Sequence, residues 1–190
     1  MDSFKKFFAE EKTTGYTYSS VQFDLPETIS KRIIRWGSHH VSDDEVFQDP
    51  EDPSYGRENR IHVTVLYGIH DAKPDGVQNL VKNLSPFYIK LKSTSIFSCP
   101  KFDVLKLGVE SEELHKLHNR LRSNLDVTLT FPDYKPHVTV VYLKKGEGEK
   151  YAGDDTFDGI MVKVDKLVFS SKEGFKKPVS LHKPIHSMAI

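Results

Sequence analysis

The chain carries the same short motif twice, 75 residues apart, and this repeat restricts what it can fold into. The first copy reads Arg60-Ile61-His62-Val63-Thr64-Val65-Leu66-Tyr67-Gly68. The second reads Lys135-Pro136-His137-Val138-Thr139-Val140-Val141-Tyr142-Leu143. Both copies are β-branched and alternating, the pattern of a strand. Side chains two apart on a strand share a face. His62 and Thr64 therefore point one way, as do His137 and Thr139, and the valines between them point toward apolar cores. Internal symmetry that joins two such strands surrounds one space with two imidazoles and two hydroxyls. That set suits an anionic group attacked from one side and protonated on the other. A third His-x-Ser, at His40-Val41-Ser42, runs into Asp43-Asp44-Glu45 with no strand around it, and is set aside. One His-x-Thr is a weak signal, whereas two with matching strand context and flanks are a strong one.

The paired motifs resemble those of the 2H phosphoesterase superfamily, which includes 2′-5′ RNA ligase-like proteins, cyclic nucleotide phosphodiesterases and phage anti-CBASS nucleases. The resemblance runs from about Gly15 to about Lys183. It implies a bilobal α+β fold, with two pseudo-symmetric lobes and antiparallel sheets around a central cleft. It also implies metal-independent phosphodiester cleavage, with His62, Thr64, His137 and Thr139 as catalytic residues. The stretch Thr13-Thr14-Gly15-Tyr16-Thr17-Tyr18 and the acidic segment before the first motif look most like phage-type members. That points to a small cyclic oligonucleotide substrate. A 2′-5′ oligonucleotide or 2′,3′-cyclic nucleotide phosphodiesterase is the alternative enzyme. A non-catalytic nucleotide-binding module is the alternative of another class, and two complete motifs argue against it.

A chain of 190 residues suits one bilobal domain over 1–190. It has 27 Lys plus Arg and 27 Asp plus Glu, so its net charge is near zero. A broad surface for long nucleic acid is therefore not expected, while a small nucleotide in a locally positive cleft is compatible. Cys99 stands alone, which excludes a disulfide framework and a cysteine metal cluster. His115 and His118 share a helical face but lack a third ligand at suitable spacing, and read as surface histidines. Neither metal nor cofactor is expected. The start Met-Asp-Ser-Phe-Lys-Lys lacks a signal-peptide core and no long apolar run exists, so the expected location is the cytoplasm, without membrane contact. Oligomeric state is not legible.

Taken in order, residues 2–12 fit an amphipathic N-terminal helix, with Phe4, Phe7 and Phe8 on one face. Tyr16 to Leu25 alternates as a strand whose polar face offers Tyr16, Tyr18 and Gln22 to a substrate. Glu27 to Gly37 reads as a helix. Residues 41–59 are polar and acidic, a loop or lid over the cleft, where Arg57 and the adjoining Arg60 offer positive charge. A helix follows over 77–84, then strands over 87–98 and 102–109. Ser111-Glu112-Glu113 opens a helix with Leu114, Leu117 and Leu121 as its apolar stripe. Lys135 lies close enough to His137 to contact a phosphate. Met161 to Ser171 and Val179 to Lys183 close the chain as strands around a turn at 172–175.

Overall fold

The computed structural model describes residues 17–129 and 133–182. The expected helix at 2–12 and Tyr16 lie outside them. Among the described residues eight strands are ordered β6-β3-β4-β5-β2-β1-β7-β8. They are β1 (Ser19–Asp24), β2 (His62–Ile69), β3 (Phe87–Ser98), β4 (Phe102–Glu110), β5 (His137–Lys144), β6 (Met161–Val164), β7 (Lys166–Ser170) and β8 (Lys176–Ser180). Among the described residues three α-helices accompany them: α1 (Glu27–His40), α2 (Asp75–Val81) and α3 (Glu112–Asn124). The fold is the expected α+β class.

The sheet divides at its middle. β2 and β5 share one ladder pair, Val63 with Val138. By contrast β4 and β5 pair from Phe102–Lys144 to Gly108–His137, and β1 and β2 from Ser19–Ile69 to Asp24–His62. Two four-stranded halves therefore meet at one point and splay apart on either side. The stretch expected as one strand over 161–171 breaks at Asp165. β6 pairs with β3 in one half, and β7 pairs with β1 in the other.

The helices cross between halves. α1 packs on β5 and α3 packs on β2. Gly37 makes the first contact possible, because a Cβ there would stand 2.9 Å from Val140 Cγ1. Val140 is β-branched and has little rotamer freedom to yield. Ser111 caps α3, its hydroxyl accepting from Leu114 N at 3.3 Å. Leu114, Leu117 and Leu121 are buried as their spacing predicts. His118 on the same helix is buried as well, which corrects its reading as a surface residue. It stacks on Tyr134 with ring centroids 4.0 Å apart.

Candidate active site

His62 opens β2 and His137 opens β5. In each strand the histidine and threonine are half-buried, while Val63 and Val138 between them are sealed from solvent. The antiparallel pairing turns about those two valines. Carried one residue either way, this register sets His62 across from Thr139 and Thr64 across from His137. The four side chains thus form one group on the open face.

Both imidazoles are oriented by the same device. His62 Nδ1 donates to the Arg60 carbonyl at 2.7 Å, and His137 Nδ1 donates to the Lys135 carbonyl at 2.7 Å. A carbonyl only accepts, so Nδ1 carries a proton in both rings and Nε2 is left to exchange one. Each strand then bulges just past its threonine. Val21 pairs with Leu66 and Gln22 with Thr64, so Val65 is the extra residue in β2. Leu105 pairs with Val141 and Lys106 with Thr139, so Val140 is the extra residue in β5. A bulge resets the alternation, and Tyr67 and Tyr142 return to the half-buried face. The carbonyls freed by the bulges are both claimed. His118 Nδ1 donates to Val65 O at 2.7 Å, and Glu58 N donates to Val140 O at 3.0 Å.

The halves differ in what flanks the motifs. On β1, Asp24 pairs with His62 and Gln22 with Thr64. On β4, Gly108 pairs with His137 and Lys106 with Thr139. Lys106 is buried, donates from Nζ to Ser95 Oγ at 2.7 Å, and stands 4.2 Å from the Phe97 ring centroid. Phe97 in turn meets His137 edge-on at 4.9 Å. Burial, reinforced by the charges of Lys106 and His62, pushes His137 down to about 4, although its bond to the Lys135 carbonyl opposes this. Burial and the charge of Lys135 also lower Lys106. Burial tends to raise Asp24, but Arg60, with help from Gln22 and His62, holds its carboxyl below the ordinary value.

The family description "2'-5' RNA ligase superfamily" matches residues 26–174. The chain belongs to this superfamily, the 2H phosphoesterases. Solved structures similar to this superfamily member share its fold at low identity. A Thermus thermophilus protein aligns with a TM-score of 0.63 at 16% identity, covering 90% of this chain and 100% of its own. Escherichia coli LigT complexed with NADP+ aligns at 0.58 and 18% identity, covering 86% and 94% respectively. LigT complexed with 3′-AMP aligns at 0.57 and 17% identity, covering 88% and 96%. No curated protein sequence matches the chain significantly.

The remaining candidates of this 2H phosphoesterase fall into place unevenly. Gln22 is buried beside Thr64, its amide donating to Asp24 Oδ1 at 3.3 Å. Tyr18 sits at the rim, stacked on His70 at 5.3 Å and edge-on to Tyr67 at 5.8 Å. The Lys135 side chain is exposed two residues before β5. The two arginines before the first motif have structural engagements. Arg57 donates to the carbonyls of Gly37 and Val41 at the end of α1, at 2.9 and 2.7 Å, and pairs with Asp43. Arg60 pairs with Asp24 at 2.7 Å. Their segment, expected as a loop or lid, is bonded to β5 through Phe47 N to Tyr142 O and Tyr142 N to Gly56 O, both at 2.9 Å. It adds Phe47 and Tyr55 to an aromatic cluster with Phe102 and Tyr142. Sequence reasoning missed Lys106. Its signal was a lysine set between Leu105 and Leu107, on the face that β4 presents beside Thr139. Among the described residues no three His, Cys, Asp or Glu side chains gather to hold a metal ion, and no helix is long and apolar enough to cross a membrane.

Proposed function

We propose that the protein is a phosphodiesterase for small nucleotides, with His62 and His137 as its acid/base pair. The observation that carries this reading is the pairing at Val63–Val138, which groups two imidazoles of matched tautomer with two threonine hydroxyls. One Nε2 takes the proton of the attacking hydroxyl, and the other ring, protonated, gives a proton to the leaving oxygen. Thr64 and Thr139 donate hydrogen bonds to the non-bridging oxygens, where charge accumulates in the transition state. No step needs a metal. The LigT complexes with 3′-AMP and NADP+ support a nucleotide ligand.

The preferred substrate on this reading is a cyclic oligonucleotide with a 2′-hydroxyl beside a 3′-5′ linkage, as for phage anti-CBASS nucleases. An internal hydroxyl held beside phosphorus has a high effective concentration. Its attack expels the 5′ oxygen and leaves a 2′,3′-cyclic phosphate. A chain with no net charge suits a ligand of few phosphates better than a long polyanion. Tyr18 at the rim offers a ring on which a base can stack. The test is incubation in EDTA with a 3′-5′ cyclic dinucleotide and its 2′-deoxy analogue, with products read by mass. Cleavage of the ribose compound alone is expected. Equal cleavage of the deoxy compound overturns internal attack. Turnover confined to 2′-5′ adenylates or 2′,3′-cyclic nucleotides moves the assignment to that alternative class. Tight nucleotide binding with no product across the whole panel leaves only a binding module.

A further inference from the structure

The two halves of the site match at His62 and His137, at Thr64 and Thr139, at the bulges and at Tyr67 and Tyr142. They differ at the two strand positions beside each motif. Next to His62 stands Asp24, and next to Thr64 stands neutral Gln22. Next to His137 stands Gly108, and next to Thr139 stands Lys106. Nothing in the motifs themselves decides which histidine accepts a proton and which donates one. The difference between the halves lies in the flanking pairs.

We propose that Lys106 gives this pseudo-symmetric site a direction: its ammonium holds a non-bridging phosphate oxygen on the β5 half and keeps His137 as the proton acceptor, leaving His62, beside Asp24, as the donor. The assignment rests on the phosphodiesterase reading above. Three observations support it. The lysine ammonium sits over the Phe97 ring that also packs on His137, so its position is fixed relative to the imidazole. Its Nζ donates to the Ser95 hydroxyl, and among the described residues it forms no ion pair, so no carboxylate neutralises its charge. A buried ammonium with no carboxylate to neutralise it, beside the Thr139 hydroxyl, favours an anion there. Across the pseudo-symmetry axis the balance is reversed, because Asp24 faces His62, and the cation beyond it, Arg60, is already paired with that carboxylate.

In the reaction, the substrate hydroxyl loses its proton to His137 Nε2 as its oxygen bonds to phosphorus. The bond from phosphorus to the leaving oxygen breaks, and His62 Nε2 delivers the proton to that oxygen. Lys106 stabilises the oxyanion and exchanges no proton. The charged and titratable groups that act on His137 are Lys106 from β4 and His62 from β2, while Lys135 meets it through its backbone carbonyl. Lys135 also acts on Lys106.

The test compares Lys106→Met, Lys106→Gln and Lys106→Arg. Met keeps an unbranched side chain and removes the ammonium over Phe97, and Gln reproduces the residue found at the matching position in the other half. Two readouts need no turnover: titration with inorganic phosphate at pH 7, and the NMR titration of the His137 ring in the ligand-free protein. Phosphate binding is expected to weaken about tenfold in the Met and Gln variants and to recover in Arg, the loss of one charge-assisted contact. The His137 midpoint is expected to rise in Met and Gln, and the acid limb of kcat/KM to rise with it. If both variants bind phosphate like the parent and the His137 midpoint is unmoved, the assignment fails. Failure of the phosphodiesterase reading shows instead as absent turnover in the parent, with both ligand-free readouts intact.

Discussion

Val63 and Val138 face each other as the single ladder pair between β2 and β5. The four candidate side chains of the cleft are placed by that pair. Each valine is flanked by its own histidine and threonine, so one register brings all four together. A slip of one residue would turn every one of these side chains into the core.

The histidines are expected to act as a pair. His62→Ala and His137→Ala should each lower turnover by about two to four powers of ten. Both variants should fold, because each ring is only half-buried on the open face. Steady-state kinetics on the best cyclic or linear substrate checks this. Near-parental turnover in either variant removes that residue from the chemistry.

Thr64→Val and Thr139→Val keep the branched shape and delete only the hydroxyl. If each hydroxyl donates to the developing oxyanion, the barrier should rise by about 2–4 kcal/mol. A loss of stability with unchanged kcat/KM would show instead that the hydroxyls serve the sheet.

His118→Ala removes the donor that satisfies the Val65 carbonyl inside the fold. Leaving that carbonyl unpartnered should cost about 1–3 kcal/mol. Turnover should fall too, because Thr64 adjoins the bulge and its own carbonyl accepts from the Tyr134 hydroxyl at 3.0 Å. Urea unfolding with parallel kinetics measures both. An unchanged midpoint would mean that water replaces the imidazole at no cost.

Acid should weaken the fold partly through His137. Its folded value, about 4, lies below the ordinary 6.5. As pH falls from about 6.5, the unfolded chain takes up this proton before the folded one does, so stability drops until about 4 and then levels for this group. His118, lowered chiefly by burial, acts in the same direction. In His137→Asn the urea midpoint should therefore fall less between pH 7 and pH 4.5 than in the parent. Parallel curves would show that His137 does not contribute.

Alternation explains why much of this was readable from residues alone. Val21, Phe23 and Leu25 are buried on one face of β1 and its continuation, and the α3 stripe follows helical spacing. The rest depended on departures from regularity. Tyr67 lies an odd number of residues after His62, so alternation alone puts it on the opposite face, and only the bulge at Val65 returns it. Lys106 occupies a strand buried on both faces, where its polar neighbours, Ser95 and Thr139, come from other strands. Residues 41–59 look like solvent-facing loop, yet Arg57, Phe47 and Tyr55 find their partners far along the chain. The break at Asp165 marks a change of half that no local preference announces.

That change of half has a consequence for how the protein is assembled. β3 to β6 form one continuous stretch of chain, whereas the half bearing β1 and β2 is completed by β7 and β8. One lobe is in effect inserted within the other. As the chain emerges in order, the inserted lobe holds all of its strands while the outer lobe still lacks its last two. The outer lobe's strands then meet across most of the chain, the long-range closure that makes sheet formation slow. His137 thus sits in a lobe that holds all of its strands before His62 does.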